Sequence, residues 1–309
     1  MRVLIISDNQ CETTHLLIRK LSNRKINFYR INDNDVYKIS NIKLNSEIIC
    51  NYDLQVNSIH GEFTVSFQEI TSVWYRRGKI NLCVEESQND INPNYREFKD
   101  KIKNTLINFI YLSFKQKHYI NTFYDDRNIN KPYVLIVACK LGLPIPKSLI
   151  SNRKEDIENY YSNDNLITKT LENAIIYSYP TNTDTFHSFT TKVDLNIVPE
   201  QFFPSFIQEQ IIKRFEVRTF YQDGTFFSSA IFSQSNNKTI VDFRNYDDDH
   251  LNRVVPYSLP YEYESKLKEL FRTLDYNSGS IDPRIPILDP NINIWYYNEH
   301  FNYYIDKQY

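Results

Sequence analysis

The segment FIQEQIIKRFEVRTF, Phe206 to Phe220, opens as a buried strand, breaks on consecutive polar residues, then alternates again with Glu216 and Arg218 on one face. Gln208, Glu209, Lys213, Glu216 and Arg218 fall within eleven positions. Charged side chains are rarely buried unless paired or bound to an opposite charge, so a strand of this kind implies a charged ligand. Other cations stand at the ends of expected strands: Lys131, Lys169 and Arg244, with Arg76 and Arg77 upstream. Drawn from several segments, they can neutralise a polyphosphate, Lys as a point charge and Arg as a bidentate fork. A strand that leaves its sheet at Gln208–Glu209 frees backbone groups that can read an adenine edge. Glu216 can then accept from a ribose hydroxyl while Arg218 reaches phosphate. Arg244, like Arg218, follows an acid by two residues (Asp242), which alternation places on the same face of its strand.

Composition sets the frame for this chemistry. A chain of 309 residues holds two or three domains with real cores. A formal net charge of -2 gives no basic footprint for nucleic acid. The 41% hydrophobic and 15% aromatic content fits a packed protein. With only five Gly, any phosphate site here is not of the Gly-rich kind. Cys11, Cys50, Cys83 and Cys139 form no CxxC pair and read as reduced thiols of a cytoplasmic protein. The His residues share no metal-like spacing. The opening apolar run is too short for a signal peptide, and no span approaches the roughly 20 apolar residues of a membrane helix.

The elements that must position these groups are legible in outline. Arg2–Ser7, a helix over Thr13–Asn23 and Asn27–Ile31 read as a βαβ unit with parallel strands. Ser46–Ser58 and Gly61–Phe67 read as a hairpin, and Ser72–Arg77 as a strand ending in two arginines. From Pro93 a helix is expected with Phe98, Ile102, Leu106, Phe109 and Ser113 on its apolar face. A second helix should end at Gly142 before Pro144 and Pro146. Asn152–Tyr161 looks helical, and Leu166–Lys169 and Ala174–Tyr179 look like strands of a small antiparallel sheet. Thr225–Gln234 and Thr239–Phe243 are further strands, and Tyr261–Leu274 is an amphipathic helix.

In order along the chain stand VWYRR (Val73–Arg77), NKPYVLIVACKLGLPIP (Asn130–Pro146), ITK (Ile167–Lys169), FFPSFIQEQIIKRFEVRTFY (Phe202–Tyr221), AIFSQSNNKTIVDFRNY (Ala230–Tyr246), NRVVPYSLP (Asn252–Pro260) and SGSID (Ser278–Asp282). This arrangement resembles the ATP-grasp ligases, and within them the peptide maturases that make graspetides, the grasp-with-spasm branch most of all. The resemblance implies an α/β (α+β) ATP-grasp fold in three parts: a Rossmann-like pre-ATP-grasp domain over 1–120, a central lid over 121–200 and a C-terminal subdomain over 201–309. It implies ATP and Mg²⁺ as cofactors. It also implies activation of an Asp or Glu side chain in a ribosomally made precursor peptide, leader and core, as an acyl phosphate. A Ser, Thr or Lys then closes an ester or amide ring. By the same resemblance Lys131 and Lys169 contact phosphates, Gln208, Glu209 and Ile211 form the adenine hinge, and Glu216 binds ribose. Arg218 and Arg244 stabilise the transferring phosphoryl group. Arg76, Arg77 and Lys213 are expected at the substrate. A homodimer and a radical-SAM SPASM protein of the same pathway are implied as partners; nucleic acid and membrane are not.

The sequence departs from the family at one place. Asp282 stands at the first metal position, but the family's Phe-Leu-Glu-x-Asn-Pro is absent, and Asn298 and Glu299 occupy its neighbourhood in reversed order. A rebuilt site of Asp282 and Glu299 satisfies Mg²⁺, which often takes one or two carboxylates beside phosphate and water. Two other readings stay open: a relative that binds ATP or leader peptide without turnover, and a ligase that adds amino acids to a protein tail.

Overall fold

The computed structural model describes residues 2–46, 50–59, 61–83, 93–162, 165–171, 176–178, 185–187, 190–234, 239, 241, 250–286 and 293–296. The chain divides into two compact units, Met1–Asn128 and Ile129–Glu299.

The first unit runs β1 (Arg2–Ser7), α1 (Glu12–Asn23), β2 (Asn27–Asn32), β3 (Val36–Lys43), β4 (Asn51–Ser58), β5 (Gly61–Ser66), β6 (Ser72–Tyr75), β7 (Asn81–Leu82), α2 (Pro93–Phe114), β8 (His118–Ile120) and α3 (Phe123–Arg127). Strands β2-β1-β6-β8 form a parallel sheet, as the βαβ pattern predicts. The expected hairpin is β4–β5, and it belongs to a second sheet, β5-β4-β3-β7. Leu4 and Ile6 of β1, Ile31 of β2, Tyr37, Tyr52 and Leu54 of the second sheet and Ile110 and Phe114 of α2 share one core. Helix α2 departs from the expected face: its second half enters the core, but Phe98 and Ile102 are 58% and 46% exposed. The spacing defines the apolar face; which turns of the helix meet a neighbour is a tertiary matter.

The second unit runs α4 (Lys131–Lys140), β9 (Ser148–Arg153), α5 (Lys154–Tyr160), β10 (Leu166–Lys169), β11 (Ile176–Ser178), β12 (Thr185–His187), β13 (Thr191–Lys192), β14 (Gln201–Glu209), β15 (Lys213–Gln222), β16 (Thr225–Phe232), β17 (Arg253–Tyr257), α6 (Tyr261–Thr273), β18 (Ser278–Pro286) and β19 (Asn293–Tyr296). It holds an antiparallel sheet β13-β10-β14-β9 and a larger one, β17-β16-β15-β18-β19, with β11 and β12 as a separate ribbon. Helix α4 ends in a Schellman turn: Gly142 has φ 68° and Leu143 N–H donates to Ala138 O at 3.0 Å. Helices α4 and α6 cover one face of the larger sheet, through Val134, Val137, Leu267, Leu270 and Phe271 against Val217, Tyr221 and Ile281. The opposite face is free to carry charge. The strand expected over Thr239–Phe243 lies mostly outside the described residues, where Thr239 is a turn and Val241 a bend.

Candidate functional site

The larger sheet carries the densest set of expected residues. On β15, Val217, Thr219 and Tyr221 turn to the helical core, so Glu216 and Arg218 share the other face. Lys213 lies three residues before Glu216, which in a regular strand sets them on opposite faces. A register irregularity between Lys213 and Phe215 changes this. Lys213 and Glu216 meet, Nζ to Oε1 at 2.7 Å, at 1% and 2% side-chain exposure. Ser233 Oγ, just past β16, donates to the same Oε1 at 2.9 Å. Arg218 instead reaches across to β18, where its Nη1 donates to Asp282 Oδ1 and Oδ2 at 3.0 and 2.8 Å. One sheet face thus holds two acid–base pairs side by side. Arg244 and Glu299, expected to complete this set, lie outside the described residues.

The expected hinge links the two sheets. Strand β14 stays paired further than the sequence suggested: Gln208 lies opposite Ile167 and Ser148, and Glu209 opposite Leu166. Gln210 N–H still donates to Asn165 O at 2.8 Å. Flanking strands on both sides hold Gln208 and Glu209, so the chain leaves the sheet at Ile211. The Gln208 side chain is 2% exposed and donates to Ser148 Oγ at 2.7 Å, and Glu209 Oε1 accepts from Lys147 N–H. Sequence reasoning did not single out Ser148. Its signal was available only in the register, because it sits across from Gln208.

Lys131 opens α4 behind Asn130, whose side chain accepts from Tyr133 N–H at 3.0 Å. It is 6% exposed and donates to Thr170 O at 2.9 Å. That contact brings it to the residue following Lys169, the last of β10.

Among the described residues no group of three or more His, Cys, Asp or Glu is placed to hold a metal. Asp282 offers one buried carboxylate, which fits Mg²⁺ when phosphate and water supply other oxygens.

Arg76 and Arg77 belong to the first unit, where they follow β6 at the carboxyl edge of the parallel sheet. Both backbone N–H groups donate to Ile6 O. Burial lowers Arg76 to about 10, with the Cys11 thiol opposing the shift. Cys11 itself titrates below its ordinary value: burial raises it, but hydrogen bonds from Thr14 and Ser7 and the charge of Arg76 outweigh this. Asp126 of α3, unnoticed in the sequence because it reads as half of a solvated Asp pair, is 7% exposed. Burial pushes its carboxyl up to about 6 against the pull of Arg127, Arg76 and Arg77.

Two predictions follow from these burials. The folded state holds the Asp126 proton more tightly than the unfolded chain, so its effect on stability worsens as pH rises from 3.8 to about 6. Asp126→Asn should therefore stabilise the protein by about 2–3 kcal/mol near neutral pH. That gain should disappear below the ordinary carboxylate value of 3.8, as urea titrations at both pH values will register. Lys213→Met strands Glu216 as a buried unpaired charge and should cost roughly 3–5 kcal/mol, whereas Lys213→Met with Glu216→Gln should recover most of it. Denaturant midpoints of the two variants check this.

Residues 2–127 match the family model of the MvdD pre-ATP grasp domain. No curated protein sequence matches the chain. Among solved structures, the Chryseobacterium gregarium RiPP-associated ATP-grasp ligase, in complex with ADP and a leader and core peptide, aligns with a TM-score of 0.73 at 18% identity, covering 95% of this chain and 87% of that one. The macrocyclase MdnC of Microcystis aeruginosa, bound with precursor peptide MdnA, aligns at 0.67 and 22% identity over 95% and 90% of the two chains. MdnB of the same organism aligns at 0.69 and 17% over 96% and 91%. The chain therefore has an MvdD-type pre-ATP-grasp domain at residues 2–127 and, through nearly its whole length, the fold of the ATP-grasp ligases.

Proposed function

We propose that this chain is an ATP-dependent ligase that activates Asp or Glu side chains of a ribosomally made precursor peptide and closes ester or amide rings with Ser, Thr or Lys. The observation that supports it most is the shared face of β15 and β18. There Glu216, Arg218 and Asp282 share the side away from α4 and α6, on the strand that follows the link Gln210–Ile212 and its neighbour β18. When bound, ATP supplies the phosphoryl group that turns the peptide carboxylate into an acyl phosphate, and Mg²⁺ neutralises charge on the phosphates.

The chain's own residues then have these parts. Ile211, with the backbone of Gln208 and Glu209, borders the adenine. The Gln208 amide is engaged by Ser148 and shapes the wall. Glu216 receives the ribose hydroxyls, held in place by Lys213 and Ser233. Lys213, which donates to Glu216, belongs with Arg76 and Arg77 to the residues that meet the substrate. Lys131 and Lys169 hold phosphate oxygens. Arg218 and Arg244 face the transferring group, where preorganised cations matter most. Asp282, with Glu299, holds Mg²⁺, and Arg76 and Arg77 contact substrate. No nucleophile on the enzyme is needed, since the peptide supplies both reacting groups. The proposal extends to a cytoplasmic homodimer acting beside a radical-SAM SPASM protein.

Incubation of the protein with its precursor peptide, ATP and Mg²⁺ should remove one water per ring, read by mass spectrometry. A gain in mass would indicate the amino-acid-adding ligase instead, and binding without any mass change a non-catalytic relative. Arg218→Ala should slow ring formation by about 10²–10³ in protein that is still folded at the assay temperature, with some loss of melting temperature from the unpaired Asp282, and Arg218→Lys should not restore the rate.

A further inference from the structure

The first unit carries a charged corner that phosphoryl transfer in the second unit does not employ. Strands β1 and β6 are adjacent and parallel, and β2 lies on the other side of β1, so the chain leaves β1 and β6 where the strand order reverses. Ligands of open α/β sheets bind outside the carboxyl ends of strands at such a point. The charges of Arg127, Arg76 and Arg77 all act on the Asp126 carboxyl there, and the Arg127 guanidinium lies over the Phe123 ring at 4.7 Å. Asp125 and Asp8 are the other acids; Asp125 faces Lys115 at 3.6 Å, and Asp8 Oδ2 stands 3.9 Å from Arg77 Nη1, too far for a hydrogen bond. Arg77 Nε is buried with no acceptor among the described residues, although its side chain is 31% exposed overall. A buried donor left without an acceptor costs on the order of 1–3 kcal/mol. The backbone is built to hold this position. Gly78 has φ 85°, and a Cβ there would lie 2.8 Å from Ser7 O, so the arginine-bearing turn presses directly onto the end of β1.

We propose that the Arg77 corner, completed by Arg76 and Arg127, is a binding site for a carboxylate group, such as an acidic side chain of a bound peptide. This deepens the assignment of Arg76 and Arg77 to substrate by naming the group they read. A carboxylate matches the planar fork of a guanidinium and supplies the acceptor that Arg77 Nε lacks among the described residues. A carboxylate brings one negative charge beside Asp8, where a phosphate dianion would bring two.

The test uses the full-length protein without nucleotide, so its result is separate from that of the ligase assay. Phenylglyoxal modification of individual arginines is followed by peptide mass spectrometry with N-acetylglutamate, N-acetylglutamine or inorganic phosphate present. N-acetylglutamate should slow modification of Arg77 about twofold at its dissociation constant, rising as 1 + [L]/Kd. N-acetylglutamine at equal concentration should give no protection, and phosphate less than N-acetylglutamate. In Arg77→Gln, the slowing of Arg127 modification by N-acetylglutamate should be lost with the melting temperature retained. Absence of protection by N-acetylglutamate, equal protection by its amide, or stronger protection by phosphate would each overturn the proposal.

Discussion

The β-bulge at Lys213 is the constraint on which the candidate site depends. By admitting one extra residue into β15, it turns a lysine that alternation would place against the helices onto the same side as Glu216. The pair then satisfies itself at almost complete burial, with Ser233 as a third partner. Desolvating two charges is expensive, and an ion pair of this kind adds little net stability. Its effect is positional. It leaves Glu216 a single geometry and keeps the neighbouring Arg218 free to reach β18.

Arg218 and Asp282 extend the same logic across strands. They stand opposite each other only because β15 and β18 pair antiparallel in one register. A slip by one residue would send Arg218 into the core of α4 and α6. That core, through Val217, Tyr221 and Ile281, therefore specifies the polar face as well as the apolar one. The acid facing Arg218 is a candidate metal ligand, so cation and carboxylate balance each other's charge on a sheet face away from α4 and α6.

Local pattern carried much of the fold. The strand–helix–strand opening, α6 with Leu267, Leu270 and Phe271 inward and the Gly142 stop were all visible in residue spacing, whereas the break read at Gln208–Glu209 falls later, at Ile211. What escaped was non-local or irregular. Strand β3 was missed because a register shift between Ile39 and Ile42 interrupts its alternation. The Lys213–Glu216 contact was hidden by another bulge, and the partner of Arg218 lies 64 residues away. Asp126 could not be read as buried, since an Asp pair before Arg127 looks like a solvated turn; only the packing of α3 beside the arginines of β6 reveals it.

The link Gln210–Ile212 also sets a dimension. From Glu209 to Lys213 the chain takes four steps, which span at most roughly 14 Å when fully extended. The two sheets it joins cannot draw further apart than this along that edge. Strands β14 and β15 are therefore tethered end to start, and a displacement of one sheet at this edge carries the other with it.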